Sequence, residues 1–124
     1  MTRLKSVGQV SVRVNDLNRA VQFYRDILEL EFVWETNRMA FFMCGDVRLM
    51  LSVPEKPEFD HPGSVVYYTV DDVQEAYNEL QLKGVEFHGT PHEIGKLGDI
   101  TVYMAFFTDS EGNTVAIQEE RPTE

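Results

Sequence analysis

The sequence predicts an α+β fold of two tandem β-α-β-β-β modules, in which curled mixed sheets enclose a cleft and the helices lie outside. Residues 7–14 alternate apolar and polar side chains, as a half-buried strand does. A stripe of apolar residues at helical spacing follows this strand. The same strand and stripe return after residue 64, which indicates an internal repeat.

Module one spans about residues 7–53, and its elements follow from local signals. Asn15-Asp16 offers a cap for the helix, whose stripe begins at Leu17. Short turns at 36–38 and 45–46 then separate three further strands, which are predicted at 32–35, 39–44 and 47–53.

Residues 54–63 contain three prolines and several charged side chains, a composition typical of a linker. Module two then spans about residues 64–119. It repeats the strand, the cap at Asp71-Asp72 and a helical stripe that ends at Gly84. Later strands are predicted at 85–88, 100–107 and 114–119, and the glycine-containing segment 89–99 is expected to be a mobile flap over the cleft.

The two halves also match residue by residue. At an offset of 56 residues, Val10 matches Val66, Asp16 matches Asp72 and Ala20 matches Ala76. These identities fall at equivalent places in the two strand-to-helix turns. We therefore expect residues 1–124 to form a single domain of two modules, with a small-molecule cleft between their sheets.

Composition excludes several classes of protein. The 124 residues carry a net charge of -10, which argues against nonspecific nucleic-acid binding and leaves room for a cationic ligand. No apolar run approaches the ~20 residues of a membrane-spanning helix, and the segment from Met1 to Ser6 does not read as a signal peptide. The lone Cys44 rules out an internal disulfide. We therefore expect a cytoplasmic protein that binds neither membranes nor nucleic acids.

The stretch Gln9-Val-Ser-Val-Arg-Val-Asn-Asp-Leu17, followed by Ala20, Phe23-Tyr24 and Leu28-Glu29-Leu30, resembles the opening of vicinal oxygen chelate domains. That superfamily contains glyoxalase I, extradiol dioxygenases, fosfomycin-resistance enzymes and bleomycin-binding proteins. The segment Phe107-Thr-Asp109-Ser-Glu-Gly112-Asn113 is similar to its Asp-Pro-Asp-Gly-Asn turn, with Ser110 and Glu111 replacing Pro and Asp. The resemblance spans residues 7–119. It implies the fold rather than one reaction, since this fold hosts many chemistries.

The resemblance also places the family's four metal-ligand positions, which lie on the first and last strands of each module: Gln9, Met50, Val65 and Ala116. Of these, Gln9 alone can donate a ligand atom, whereas divalent metals favour several carboxylates or imidazoles. The other cleft-side positions of these strands add no Asp, Glu, His or Cys, and Glu119 falls on the helix-packing side. We therefore expect no family-type metal and no cofactor.

The remaining cleft wall is apolar and aromatic with a few polar points. Aromatic faces bury ligand area at low entropic cost, and Arg can clamp a carboxylate or phosphate. Each aromatic residue could instead fill the core, and each arginine could instead reach solvent. With Phe32 and Phe41 as further aromatic candidates, the expected ligand-binding residues are Gln9, Arg13, Trp34, Phe42, Arg48, Met50, Tyr67, Tyr103, Phe107 and Gln118.

The catalytic signals are weak. His92 is a candidate general acid or base, because imidazole exchanges protons near neutral pH. His88 and His92 bracket Gly89-Thr90-Pro91, which precludes a regular helix carrying a metal-binding pair. Cys44 has no histidine close by in the sequence and is interpreted as a small buried side chain.

These observations leave three hypotheses open. The first is a metal-independent protein that sequesters a small molecule, and the resemblance implies antibiotic ligands, including cationic glycopeptides. The second is a lyase, isomerase or dioxygenase of the same superfamily with displaced ligands, supplied by Glu35, Glu93, His92 or a partner chain. The third is a non-catalytic dimeric partner or regulatory protein. The resemblance further implies a homodimer.

Overall fold

A computed structural model describes residues 4–123, and the chain divides into two compact units between Gly63 and Ser64. The linker at 54–63 therefore belongs to the first unit. The expected lack of a signal peptide rests partly on residues 1–3, which lie outside the described residues. Within residues 4–123, no helix combines the length and the apolar character needed to span a bilayer.

The first unit has the predicted order of elements. Its strands are β1 (Gln9–Arg13), β2 (Glu31–Glu35), β3 (Met39–Cys44) and β4 (Val47–Ser52), and its helix is α1 (Leu17–Gln22). The helix continues as one π-helical turn over Phe23–Ile27, and a short 3-10 turn at Pro57–Phe59 lies in the linker. The sheet order is β1-β4-β3-β2, with β1 parallel to β4 and the other pairs antiparallel.

Helix α1 begins and packs as its sequence predicts. The Asp16 carboxylate accepts a hydrogen bond from the Arg19 amide at 3.1 Å, which satisfies one of the unpaired amides of the first turn. Ala20, Val21 and Tyr24 are buried, and α1 packs against β3 and β4. This packing covers one face of the first sheet and leaves the opposite face open.

The second unit repeats this plan. It contains β5 (Val66–Thr69), α2 (Val73–Leu82), β6 (His92–Leu97), β7 (Ile100–Thr108) and β8 (Thr114–Pro122). The sheet order is β5-β8-β7-β6, again with the first and last strands parallel. Asp72 caps α2 through the Glu75 amide at 3.0 Å, as Asp16 caps α1. The predicted repeat of modules is therefore confirmed.

The turn between β7 and β8 is held by its aspartate. Asp109 Oδ1 accepts hydrogen bonds from the amides of Glu111 at 2.8 Å and Asn113 at 2.9 Å. Gly112 has a φ of 86°, in the left-handed region that side chains rarely adopt. The turn therefore keeps its aspartate and glycine where Ser110 and Glu111 replace the usual residues.

The predicted strand at 85–88 is wrong, and so is the predicted flap at 89–99. Residues 85–88 contribute only an isolated bridge between Phe87 and Phe107, and the strand is instead β6, which forms a hairpin with β7. Phe87 packs against Tyr77 at 4.6 Å and Phe107 at 5.3 Å between ring centroids. The apolar residues that suggested a strand at 85–88 are therefore explained by packing in the core and not by a strand. β6 is an edge strand with mostly exposed side chains, so its sequence lacks the apolar alternation of a half-buried strand.

Candidate functional site

The open face of the first sheet carries a row of side chains that crosses all four strands. Strand register pairs Ser11 with Met50, Met50 with Phe41, and Phe41 with Trp34. The rings of Trp34 and Phe41 stack with centroids 5.5 Å apart and planes 23° apart. Trp34 is 58% exposed, so it offers a free aromatic face beside the stack. This row can bury a flat apolar group.

A polar cluster adjoins this row. Arg48 Nε donates to Gln9 Oε1 at 2.7 Å, and Gln9 Nε2 donates to Met50 Sδ at 3.6 Å. The Arg48 guanidinium also lies 5.8 Å from the centre of the Phe41 ring. The structure thus brings Gln9, Arg48 and Met50 together, three residues that the sequence had singled out.

A cavity of about 480 Å³ lies within the first unit, between this open face and the linker. Its volume falls in the range of small-molecule sites. The strands contribute Ser11, Arg13, Met50 and Ser52 to its wall. The rest comes from residues 38–39 and from seven residues after β4: Val53, Pro54, Glu55, Lys56, Phe59, His61 and Gly63. Arg13 and Met50 were expected ligand-binding residues, whereas the other wall residues were not, among them Arg38, Met39, Lys56, Phe59 and His61.

Ion pairs fix the linker over the cavity. Arg13 Nε lies 2.5 Å from Asp60 Oδ1, and Arg38 Nε lies 2.8 Å from Glu55 Oε1. Arg38 Nη2 also donates to the carbonyl of Pro54 at 2.9 Å. These contacts join residues far apart in the sequence. The charged side chains of the proline-rich linker were the one feature of the sequence that could have indicated them.

Four of the expected aromatic residues lie on the helix sides of their sheets: Phe32, Phe42, Tyr103 and Phe107. Phe42 is fully buried and packs against Tyr24 and Phe32 on the helix side of the first sheet, so Phe41 takes its place on the open face. Phe32 shares the helix side, because its strand partner is Phe42. Phe107 is also fully buried, against Phe87.

Tyr103 shares the side of Phe107, because the two residues are four apart on β7. Its ring lies under the Arg121 guanidinium, 4.2 Å from ring centre to carbon. On β7 the open face carries Met104 and Phe106 instead, since these pair with Gln118 and Ala116. Apolar residues of both parities on β7 hid this alternation from the sequence.

The open face of the second sheet brings together the other predicted residues. Tyr67 pairs with Ala116 and meets Phe106 edge to face, with ring centroids 6.0 Å apart. Gln118 Nε2 donates to Thr69 Oγ1 at 3.3 Å. His92 pairs with Met104, whose own partner is Gln118, so His92 lies on this same face. Its Nδ1 lies 3.0 Å from the Thr90 carbonyl oxygen. A catalytic role for His92 stays a prediction.

The residues at the family's metal positions do not suit a divalent metal. Gln9 Oε1 already accepts from Arg48, Met50 offers a thioether, and Val65 and Ala116 offer no ligand atom. Across residues 4–123, no group of three His, Cys, Asp or Glu side chains lies close enough together to hold a metal ion. The donor chemistry of this chain therefore does not fit the metal that the fold family implies.

Two further groups that could react, Cys44 and Glu119, are poorly suited to catalysis. Burial raises the pKa of the Cys44 thiol, which disfavours the nucleophilic thiolate. The Glu119 carboxylate lies on the helix side of β8, as predicted, and accepts from the Val73 amide at the start of α2 at 2.8 Å. A hydrogen bond from Arg121 lowers the pKa of Glu119, so this carboxylate stays charged in its helix-capping role.

Comparisons with known proteins agree with this architecture. The "Uncharacterized protein YraH" of Bacillus subtilis (strain 168) is 28% identical over 123 residues, covering 88% of this chain and 94% of the relative. "Metallothiol transferase FosB" of Staphylococcus haemolyticus (strain JCSC1435) is 23% identical over 120 residues, covering 92% of this chain and 83% of the relative. The crystal structure of TnmS3, an antibiotic binding protein from Streptomyces sp. CB03234, superposes with a TM-score of 0.77 at 24% identity. That match covers 99% of this chain and 100% of TnmS3.

A sequence model of one superfamily matches residues 6–117, which is nearly the whole chain. The resemblance rested on the opening stretch from Gln9 to Leu17 and on the turn at residues 107–113. The structure adds two repeated modules in which the first and last strands pair in parallel. This chain belongs to the Glyoxalase/Bleomycin resistance protein/Dioxygenase superfamily.

Proposed function

We propose that this chain is a metal-independent small-molecule-binding protein of the glyoxalase/bleomycin-resistance type, which sequesters its ligand on the open face of the first sheet. The observation that carries this proposal is the cavity of about 480 Å³ between that face and residues 53–63. Met39, Met50 and Phe59 give it apolar walls, and Arg13 and Arg38 place cationic groups at its edge. Such a mixture of apolar wall and few polar groups is typical of ligand sites.

The stacked pair of Trp34 and Phe41 extends this surface beyond the cavity. Phe41 is the strand partner of Met50, which lines the cavity, so the aromatic pair and the cavity share one face. A ligand with a flat ring could lie on Trp34 while its other end enters the cavity. The name of TnmS3, an antibiotic binding protein, makes antibiotics a sensible first ligand class to try.

Filling the cavity is expected to abolish binding. Ser11 lines the cavity and is exposed, so Ser11→Trp should occupy its space, whereas Ser11→Ala should leave it open. The measurement is a screen of antibiotics and other small molecules by melting-temperature shift. A ligand at ~100 times its Kd stabilises by about 2.7 kcal/mol, which is several degrees here. Hits should be retained in Ser11→Ala and lost in Ser11→Trp. Hits that survive in the Trp variant would contradict this site.

A metal-dependent enzyme is the second candidate, because one relative bears the name metallothiol transferase. Under the primary proposal, Ni, Mn, Fe or Zn ions added to the protein should leave the melting temperature unchanged, since Gln9 and Met50 supply no suitable donor pair. Elemental analysis of untagged protein, purified without chelators, is the companion measurement. One equivalent of metal, or a shift of several degrees with one ion, would favour the enzyme.

The homodimer and the non-catalytic partner role stay predictions. Sedimentation velocity tests the homodimer.

A further inference from the structure

We propose that the ligand of the first-unit cavity carries a carboxylate at the end of an apolar body, and that Asp60 occupies the place of that carboxylate when no ligand is bound. The inference rests on the proposed function and deepens it by naming the chemical class of the ligand. Arg13 lines the cavity, and the carboxylate of Asp60, which is not itself a lining residue, lies 2.5 Å from Arg13 Nε. The fold thus already places a carboxylate against that guanidinium.

The charges of the cavity favour an anion. Arg13, Arg38 and Lys56 line it, and Glu55 is the one carboxylate among the lining residues. With Asp60, which pairs with Arg13 from outside the wall, three cationic side chains face two carboxylates. Arg38 is engaged by Glu55 and by the Pro54 carbonyl, which are its own neighbours in the wall. The net charge of -10 would by itself favour a cationic ligand. However, contacts at hydrogen-bond distance outweigh charges farther than the screening length of about 8 Å at physiological ionic strength.

The pairing of Arg13 with Asp60 is of a kind that a ligand can exchange. The Arg13 side chain is 33% exposed and that of Asp60 is 53% exposed, so the pair is neither dry nor rigidly enclosed. Ion pairs of this exposure contribute little net stability. A ligand carboxylate would take over the same guanidinium, and Asp60 would move out into water. The fold already holds the Arg13 side chain in place, so ligand binding does not have to order it.

The apolar walls fix the other end of the ligand. Met50 and Met39 lie on neighbouring strands, and Phe59 lies on the linker side. Methionine side chains adapt to irregular apolar shapes and contact aromatic rings favourably. An acid with a flat ring system and a short chain therefore matches both ends of the cavity.

The test uses three fluorescent probes that differ only in the charge of their head group: pyrenebutyrate, its neutral amide and pyrenebutylamine. Affinities for the full chain come from fluorescence titration. The carboxylate should bind about tenfold or more tightly than the amide, and the amine should bind most weakly. Arg13→Gln should remove the preference for the carboxylate over the amide. If none of the three probes binds, the proposed function itself loses its support. If the amide or the amine binds as well as the carboxylate, only the carboxylate inference is overturned.

The variant Asp60→Asn separates replacement of a bound carboxylate from simple loosening of the linker. It should raise affinity for pyrenebutyrate about two- to fivefold, the worth of a partly exposed ion pair, and leave the amide unchanged. Glu58→Gln is the matched control, because it removes the same charge from the same linker at an exposed position outside the cavity wall. An equal gain for both probes in Asp60→Asn, or the same gain in Glu58→Gln, would overturn the role of Asp60.

Discussion

Phe42→Ala is expected to lower the free energy of unfolding by about 3–5 kcal/mol, the usual cost of removing a buried phenylalanine ring. The Phe42 side chain is completely buried. Its ring centre lies 5.5 Å from that of Phe32 and 6.2 Å from that of Tyr24, so three elements of the first unit meet on it. Since small domains are stable by only about 5–15 kcal/mol, this loss is a large share of the total.

The neighbouring substitution Phe41→Ala should cost about 1 kcal/mol or less. Phe41 points to the open face, is half-buried, and makes its main ring contact with the exposed Trp34. It should instead weaken ligand binding, because it removes one half of the aromatic stack beside the cavity. Urea unfolding followed by far-ultraviolet circular dichroism gives both stabilities. If Phe41→Ala proves the more destabilising of the two, the faces of β3 are assigned the wrong way round.

That assignment could not be read from the sequence, and the reason is general. In β1 apolar side chains alternate with polar ones, and in β4 the polar Arg48 and Ser52 mark the same parity as Met50. The open-face positions of Gln9, Arg13, Arg48 and Met50 therefore follow from the pattern. In β3 and β7 both faces are apolar. Phe41 and Phe42 are therefore equivalent by pattern, and only the packing of α1 distinguishes them.

The edge strand β6 and the place of the predicted linker in the cavity wall were missed for different reasons. β6 is exposed at the sheet edge, so no burial pattern marks it. The linker looked like a spacer by composition, whereas its Glu55 and Asp60 pair with arginines of strand and turn. Such pairs depend on where the folded chain returns, and no local periodicity encodes that. The cavity was therefore predicted as a class of site but not as this set of residues.

Glu119, near the end of β8, stabilises the fold and does not face the open side of the sheet. Its side chain is 9% exposed, and its carboxylate accepts hydrogen bonds from the Val73 amide at 2.8 Å and from Arg121 Nη2 at 3.2 Å. It thereby satisfies one of the unpaired amides at the start of α2, where the helix dipole favours a negative charge. Glu119→Gln is expected to lower the free energy of unfolding by about 1–3 kcal/mol at neutral pH, through loss of charge-assisted hydrogen bonds. Glu120→Gln, at the exposed neighbouring position, should change it little.

The pH dependence of that difference follows from the lowered pKa of Glu119. The hydrogen bond from Arg121 is its largest cause, ahead of the bond from the Val73 amide, while burial opposes both. Because the folded-state pKa lies below the ordinary glutamate value of 4.5, the carboxylate stabilises the fold at higher pH. This stabilisation is lost as pH falls through the folded-state pKa, where both states bind the proton. The parent chain and Glu119→Gln should therefore differ most above about pH 5 and converge in acid.

Chemical unfolding at several pH values measures this convergence, with Glu120→Gln as the reference. A difference that persists undiminished in acid would mean that Glu119 contributes through packing and not through its charge.

The variant Glu119→Gln also distinguishes a structural carboxylate from a ligand-binding one. Because Glu119 faces α2 and not the open face of its sheet, its replacement should leave binding of small molecules and metal ions unchanged once the protein is folded. Loss of ligand or metal binding in folded Glu119→Gln would place Glu119 in the site and reverse the assignment of β8.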